Sequence, residues 1–306
     1  MALTQQVLNA IFIGSIYALF AVGYTLVFGV LDVLNLAHSA VFMLGAVITY
    51  SLVALHGMPF LPAAVIAVLV CGLLGLLIEF VALRPLRRRN APPISALIST
   101  IGLALIFVAI VEQATPGTLF SWLWQDGANS VRFPAGTVPN PTYHVAGLTI
   151  EGTKLGILIT SVVLMLILGY VIRYTQVGRA LRAVAENRRA ATLLGINVDR
   201  IFASTLFLSS ALGGLAGILF GLAISDISPY IGRDQVELKG LAVIVLGGMG
   251  SIPGAVVGGY LLGLIEVFAF VRFGSNVEAG VAFAALFLVL VLRPQGLFGA
   301  RLRERL

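Results

Sequence analysis

The chain has 306 residues, of which 59% are hydrophobic and only 10% charged, and its mean hydropathy is +1.04. That balance excludes an ordinary water-soluble domain, and the long unbroken apolar runs exclude the alternating pattern of a membrane β-barrel. The net charge of +6 does not point to nucleic acid, because the 19 basic residues gather beside apolar runs, as in the positive-inside pattern.

The expected class is all-α: a polytopic helical membrane protein with seven to eight spans and broken or re-entrant helices, in one transmembrane domain over 1–306. Val7 to Phe28 is the first span; at ~1.5 Å per residue it crosses a ~30 Å apolar core with some tilt. No Lys or Arg precedes Arg84, so no cleavable signal peptide is expected and the N-terminus is expected outside. The stretch Phe28 to Ser39 then sets Asp32, Asn35, His38 and Ser39 between two apolar runs. Such groups cost several kcal/mol if left unpaired in hydrocarbon. Two readings stand: a surface loop with Ser39 as N-cap of the next helix, or a helix break lining a solute path.

Ala40 to Leu55 is the second span, and Pro62 to Leu83 the third, ending on Arg84, Arg87, Arg88 and Arg89. Ile94 to Ala114 is the fourth. Its Ser95, Ser99, Thr100 and Gly102 form a small, polar stripe, suited to close helix contact or to a hydroxyl-lined path. The long polar segment at about 115–152 carries Trp122 and Trp124 and belongs outside, as an interfacial belt or a docking surface. Thr153 to Ile172 is the fifth span.

A second basic cluster follows in a cytoplasmic loop at about 174–200. Gly178 to Gly195 reads as one amphipathic helix, with Leu181, Val184, Ala185, Leu193 and Leu194 on one face and Gly195 as C-cap. It lies on anionic lipid or inserts into a cytoplasmic partner. Ile201 to Ile224 is the sixth span, with Gly213, Gly217 and Gly221 spaced for close backbone approach. Ser225 to Glu237 is placed outside. Leu238 to Leu246 is too short to span. With Gly247-Gly248-Met249-Gly250-Ser251-Ile252-Pro253-Gly254 and Ala255 to Phe270 it makes a re-entrant pair or one broken helix. This second Gly/Pro-interrupted segment, matching the first in the other half of the chain, tips the choice toward a transport site. Ala279 to Leu292 is the last span, and the basic tail with Arg301, Arg303 and Arg305 is placed in the cytoplasm.

The chemistry of an enzyme is missing. There is no His-Glu-x-x-His and no Gly-x-Ser-x-Gly; the single Cys71 has no pairing partner, and His38, His56 and His144 lack metal-ligand spacing. No phosphate-binding loop occurs, so if ATP drives this protein, ATP and Mg belong to a partner chain. No cofactor or metal is expected here. Glu79, Glu112 and Glu266 are the few carboxylates within spans, which weakens an ion-coupled carrier. No arginine inside a span offers itself as partner for a substrate carboxylate.

Four segments in order resemble the permease subunits of branched-chain amino acid ABC importers. They are Gly14 to Leu19 followed by Gly29 to His38, the Gly178 to Arg200 loop, the Gly247 to Ala255 break, and Arg293-Pro294-Gln295-Gly296-Leu297-Phe298-Gly299. They cover nearly the whole chain, and the short N-terminus is similar to the first, shorter of that family's two permease types. Ser39 stands where family members often have Gly.

The resemblance implies a bacterial inner-membrane importer with a homologous second permease, two cytoplasmic ATPase subunits and a periplasmic solute-binding protein. From the two breaks and the polar stripe of the fourth span, a substrate path is expected over Asp32, Asn35, His38, Ser39, Ser99, Thr100, Gly250, Ser251 and Pro253. The resemblance makes the Gly178 to Gly195 helix the ATPase-coupling element, with Glu186 and Gly195 carried over from the family and Gly178, Arg182 and Ala190 expected beside them. Urea, short amides or other small organic solutes remain open as cargo, as does an ion-coupled carrier acting alone.

Overall fold

The computed structural model describes residues 2–114, 118, 120–124, 128–145, 148–293 and 295–299. Pro294 of the closing motif and the tail arginines Arg301, Arg303 and Arg305 lie outside the described residues. Helix α1 spans Ala2–Leu31, longer at both ends than its apolar run, because a helix satisfies its own backbone and so carries Gln5, Gln6 and Asn9. After a five-residue break, α2 (Ala37–Tyr50) continues through a π-helical turn, Ser51–Leu55. Helix α3 (Phe60–Ile78) likewise runs through π-helical Glu79–Leu83 into α4 (Arg84–Arg88). Helix α5 (Pro93–Glu112) is followed by an antiparallel hairpin, β1 (Thr142–Val145) and β2 (Leu148–Glu151), with Thr142 opposite Glu151.

Helix α6 (Gly152–Tyr174) leads to two short helices, α7 (Gln176–Glu186) and α8 (Arg188–Leu193). The single helix expected over Gly178 to Gly195 is thus divided. Asn187 leaves helical geometry (φ −155°, ψ 103°) and its side-chain oxygen accepts from the Ala190 amide at 3.0 Å, capping the second helix. Gly195, with φ +82°, closes α8 in the left-handed region that favours glycine. Helix α9 covers Val198–Ile224. A π-helical segment, Gly232–Glu237, runs directly into α10 (Leu238–Gly247); α11 (Ile252–Phe273) and α12 (Ser275–Leu292) complete the chain. Among the described residues, seven helical segments are long and apolar enough to cross a membrane, and α10 is a shorter apolar helix.

Helices α1, α2, α9 and α11 form the centre. Their backbones touch through glycine. A Cβ on Gly217 would sit 1.8 Å from the Phe42 carbonyl oxygen, and one on Gly263 2.6 Å from the Gly14 Cα. The Gly217 contact realises the close approach that the glycine spacing in the sixth span predicts.

The two ends of this bundle differ. At one, the Gln5 side chain exchanges two 3.0 Å hydrogen bonds with the Thr149 backbone, Ser51 donates to the Trp122 carbonyl at 2.5 Å, and Val131 pairs with Ile227. At the other, Arg84 and Arg87 bind Asp199 at 2.9 and 2.7 Å, and Arg87 also holds the buried Glu79 at 2.6 Å. The start of α1 and the described residues of the 115–152 segment therefore share one end, and the first two arginine clusters share the other.

Candidate functional site

The first break is built by its own backbone. Asp32 takes φ 57° and stops α1, its amide still bonded to the Phe28 carbonyl at 2.9 Å. The His38 amide then bonds to Asn35 O at 3.2 Å and starts α2 at Ala37. Ser39 is consequently not the N-cap; it sits inside the first turn of α2. Its hydroxyl lies 2.9 Å from the Leu36 carbonyl and 3.2 Å from Glu237 Oε2.

The candidate path residues separate into three groups. His38 is fully buried. Its Nε2 lies 3.3 Å from the Phe20 carbonyl, so that nitrogen carries the proton, and its Nδ1 lies 3.4 Å from Ser209 Oγ. Phe20 and Tyr24 pack against the imidazole at 4.7 and 5.4 Å between ring centres. A Cβ on Gly213 would fall 2.6 Å from that ring. His38 is a packing and hydrogen-bonding knot joining α1, α2 and α9, closed to solute in this conformation.

The second group surrounds Asn35. It is 1% exposed, yet neither its side-chain oxygen nor its nitrogen has a hydrogen-bond partner among the described residues. Leaving such a buried group unpaired costs about 1–3 kcal/mol. The Thr100 hydroxyl accepts from the neighbouring Leu36 amide at 3.3 Å and donates to Leu97 O at 2.9 Å, tying α5 to the break. Ser99 precedes it, half-buried. Glu237, bonded to Ser39, belongs to this group as well. The sequence places it outside, whereas the structure runs Gly232–Glu237 down into the protein as the start of one continuous helix with α10. The available signal was Arg233 and Glu237, four residues apart, leading straight into an apolar run.

The third group lies at the arginine end. The two breaks meet there: a Cβ on Gly29 would be 3.5 Å from the Gly250 Cα. Ser251 caps α11 by accepting from the Gly254 amide at 3.2 Å, and Pro253 is exposed in its first turn. Leu297 and Phe298 donate to the carbonyls of Leu246 and Gly247 at 2.9 and 3.0 Å, buttressing the second break. Asp32 is exposed and shares a cavity of about 500 Å³ with Glu186, Asn187, Arg188 and Arg189.

Among the candidate coupling residues, Gly178 packs its Cα face against the Ile172 carbonyl, and Arg182 donates to the Ile172 and Arg173 carbonyls, so both hold the α6–α7 corner. Glu186, Ala190 and Gly195 are exposed, and Leu193 and Leu194 are 85% and 80% exposed at the tip. Sequence reasoning missed Arg188. Its guanidinium donates to the Leu31 carbonyl, the last of α1, at 2.5 Å, and with Arg87 it brackets the Phe202 ring at 5.3 and 4.4 Å. That hydrogen bond links the exposed α7–α8 pair to the first break. Among the described residues, no group of three or more His, Cys, Asp or Glu side chains is placed to hold a metal ion.

The family model described as the permease component of the branched-chain amino acid transport system matches residues 6–292. The chain is 37% identical to the high-affinity branched-chain amino acid transport system permease protein LivH of Escherichia coli K12, over 96% of this chain and 95% of that one. It is 36% identical to BraD, the permease protein of the same name in Pseudomonas aeruginosa, with the same coverage. A probable LivH permease of Methanocaldococcus jannaschii is 29% identical over 95% of this chain and 91% of its own.

Proposed function

The chain belongs to the branched-chain amino acid transport system permease family, and from that premise we propose how it works: as half of the solute path of an ATP-driven importer. A homologous second permease completes the path, a periplasmic solute-binding protein delivers the cargo, and two cytoplasmic ATPase subunits carry ATP and Mg. The arginine end faces the cytoplasm, following the positive-inside rule, which puts the start of α1 and the 115–152 segment outside. The relatives' names favour branched-chain amino acids as cargo over urea or short amides.

The observation that carries the mechanism is the Arg188 bond to the Leu31 carbonyl. Closure of the ATPase pair displaces the exposed tip of α8, where Leu193 and Leu194 offer apolar anchors. Arg188 passes that displacement to the end of α1, where Gly29 rests on Gly250. Both breaks then shift together, and the path changes its opening from one side to the other. Asn35 and Thr100 line the path, while Gly178 and Arg182 keep the α6–α7 corner rigid so that motion is transmitted rather than absorbed.

The test is purification of the chain from its native membrane. Stoichiometric ATPase subunits and a second permease are expected with it. A chain that comes down alone, and moves solute alone in vesicles, overturns the reading in favour of an ion-coupled carrier.

A further inference from the structure

We propose that Arg233 and Glu237 form a charge pair that reads the zwitterionic backbone of an α-amino acid in transit, beside an apolar wall that takes its aliphatic side chain; this rests on the importer reading above. A cavity of about 650 Å³ is lined by Arg233, Glu237, Leu238, Leu36, Ile101 and Leu105. The two charges sit one helical turn apart on the segment that leads into α10, so they share a face. An arginine fork matches a carboxylate, and a carboxylate matches an ammonium group. A zwitterion needs both at a spacing of a few ångströms, and an aliphatic side chain needs an uncharged surface next to them. Arg233, Glu237 and the leucine and isoleucine side chains all line this cavity.

The surroundings hold the pair in place. Ser39 fixes Glu237 Oε2 at 3.2 Å, and the Tyr230 ring lies 5.4 Å beneath the Arg233 guanidinium. The Leu36 amide is anchored to Thr100 at 3.3 Å, and the preceding residue is Asn35, buried with both amide atoms unpartnered among the described residues. Asn35 adjoins in sequence Leu36, which lines the cavity, and an unpaired buried amide gains hydrogen bonds when a polar solute or water reaches it. The cavity is also on the outside of this subunit. Ile101, Leu105 and Leu238 are 38%, 54% and 60% exposed. A second permease set against this face closes the cavity into a path between subunits. The path then acts as a low-affinity filter after the binding protein: cargo lacking either charge forgoes the matching contact with Arg233 or Glu237, which slows its passage.

The experiment uses the complete transporter in proteoliposomes, supplied with its binding protein loaded with leucine. Arg233→Gln and Glu237→Gln are each expected to lower initial uptake at least tenfold, while assembly and stimulated ATP hydrolysis stay within twofold of the parent. Arg233→Lys and Glu237→Asp, which keep the charges, are expected to restore at least a third of the rate. Glu237→Gln retains an oxygen for Ser39, so loss of folding does not stand in for loss of transport. Uptake within twofold of the parent in both neutral variants overturns the inference and leaves the importer reading intact. So does a charge-keeping variant as impaired as the neutral one, because it makes the residue structural. A parent complex that moves no amino acid overturns the importer reading, and this inference with it.

Discussion

Helices α1 and α6 are both long and apolar, but they meet different surroundings. In the most apolar stretch of α1, 83% of residues are buried; in that of α6, only 22% are, although α6 is the more hydrophobic of the two. In water the order would be reversed. In a bilayer the lipid tails are as apolar as leucine, so the most hydrophobic helices gain nothing by going inside. The interior is given instead to helices whose glycines admit backbone contact and whose polar groups find partners there. Ser209 donating to Gly23 O at 2.7 Å and Glu266 bonded to Lys239 are such contacts. The centre of this protein is therefore its less hydrophobic part, and the candidate functional residues lie in and beside it.

That contrast is broken most severely by filling a central glycine. Gly217→Leu forces a side chain into the Phe42 backbone, and a loss of more than about 3 kcal/mol is expected, read as failure of the complex to survive detergent size exclusion. Removing one partner of the Lys239–Glu266 pair comes next. Glu266 is 4% exposed on its side chain, so Lys239→Met leaves an uncompensated buried charge at a cost of about 3 kcal/mol. Lys239→Met with Glu266→Met is expected to cost less than either single change, in a double-mutant comparison of thermal stability.

Asn35→Leu sharpens the contrast differently. It removes two unpartnered polar atoms, so stability is expected to hold or rise slightly while leucine uptake falls. Normal uptake by that variant would remove Asn35 from the path. The smallest effect belongs to the periphery: a Cβ on Gly169 of α6 meets nothing within 4 Å, and Gly169→Leu is expected to shift stability by less than about 0.5 kcal/mol. A large loss there would mean that α6 faces protein rather than lipid.

Much of this was legible in the chain. Unbroken apolar runs gave the spans, the arginine clusters gave the shared ends, and the glycines around Gly29 and Gly250 marked both breaks. What escaped was contact between segments far apart in sequence. Nothing local says that Gly29 rests on Gly250, or that Ser39 bonds Glu237 across 198 positions. His38 read as a path residue because an imidazole between spans is costly; the structure meets that cost by packing it against Phe20, Tyr24 and Ser209. The division of the expected Gly178 to Gly195 helix at Asn187 was legible in principle, since asparagine before a run of helix formers is an N-cap signal. It was outweighed by the continuity of the amphipathic pattern on either side. Arg233 and Glu237 were set outside with the rest of the Ser225 to Glu237 stretch. Here they begin one continuous helix with α10.

One reconstitution decides whether coupling runs from α8 to the breaks. The complete transporter carrying Arg188→Gln is compared with its parent for leucine uptake and for ATP hydrolysis stimulated by the loaded binding protein. Loss of the bond to the Leu31 carbonyl is expected to uncouple the two: hydrolysis persists within about twofold, while uptake falls at least tenfold. Uptake and hydrolysis that remain in their parental ratio would contradict it, and would mean that α8 and the breaks move independently.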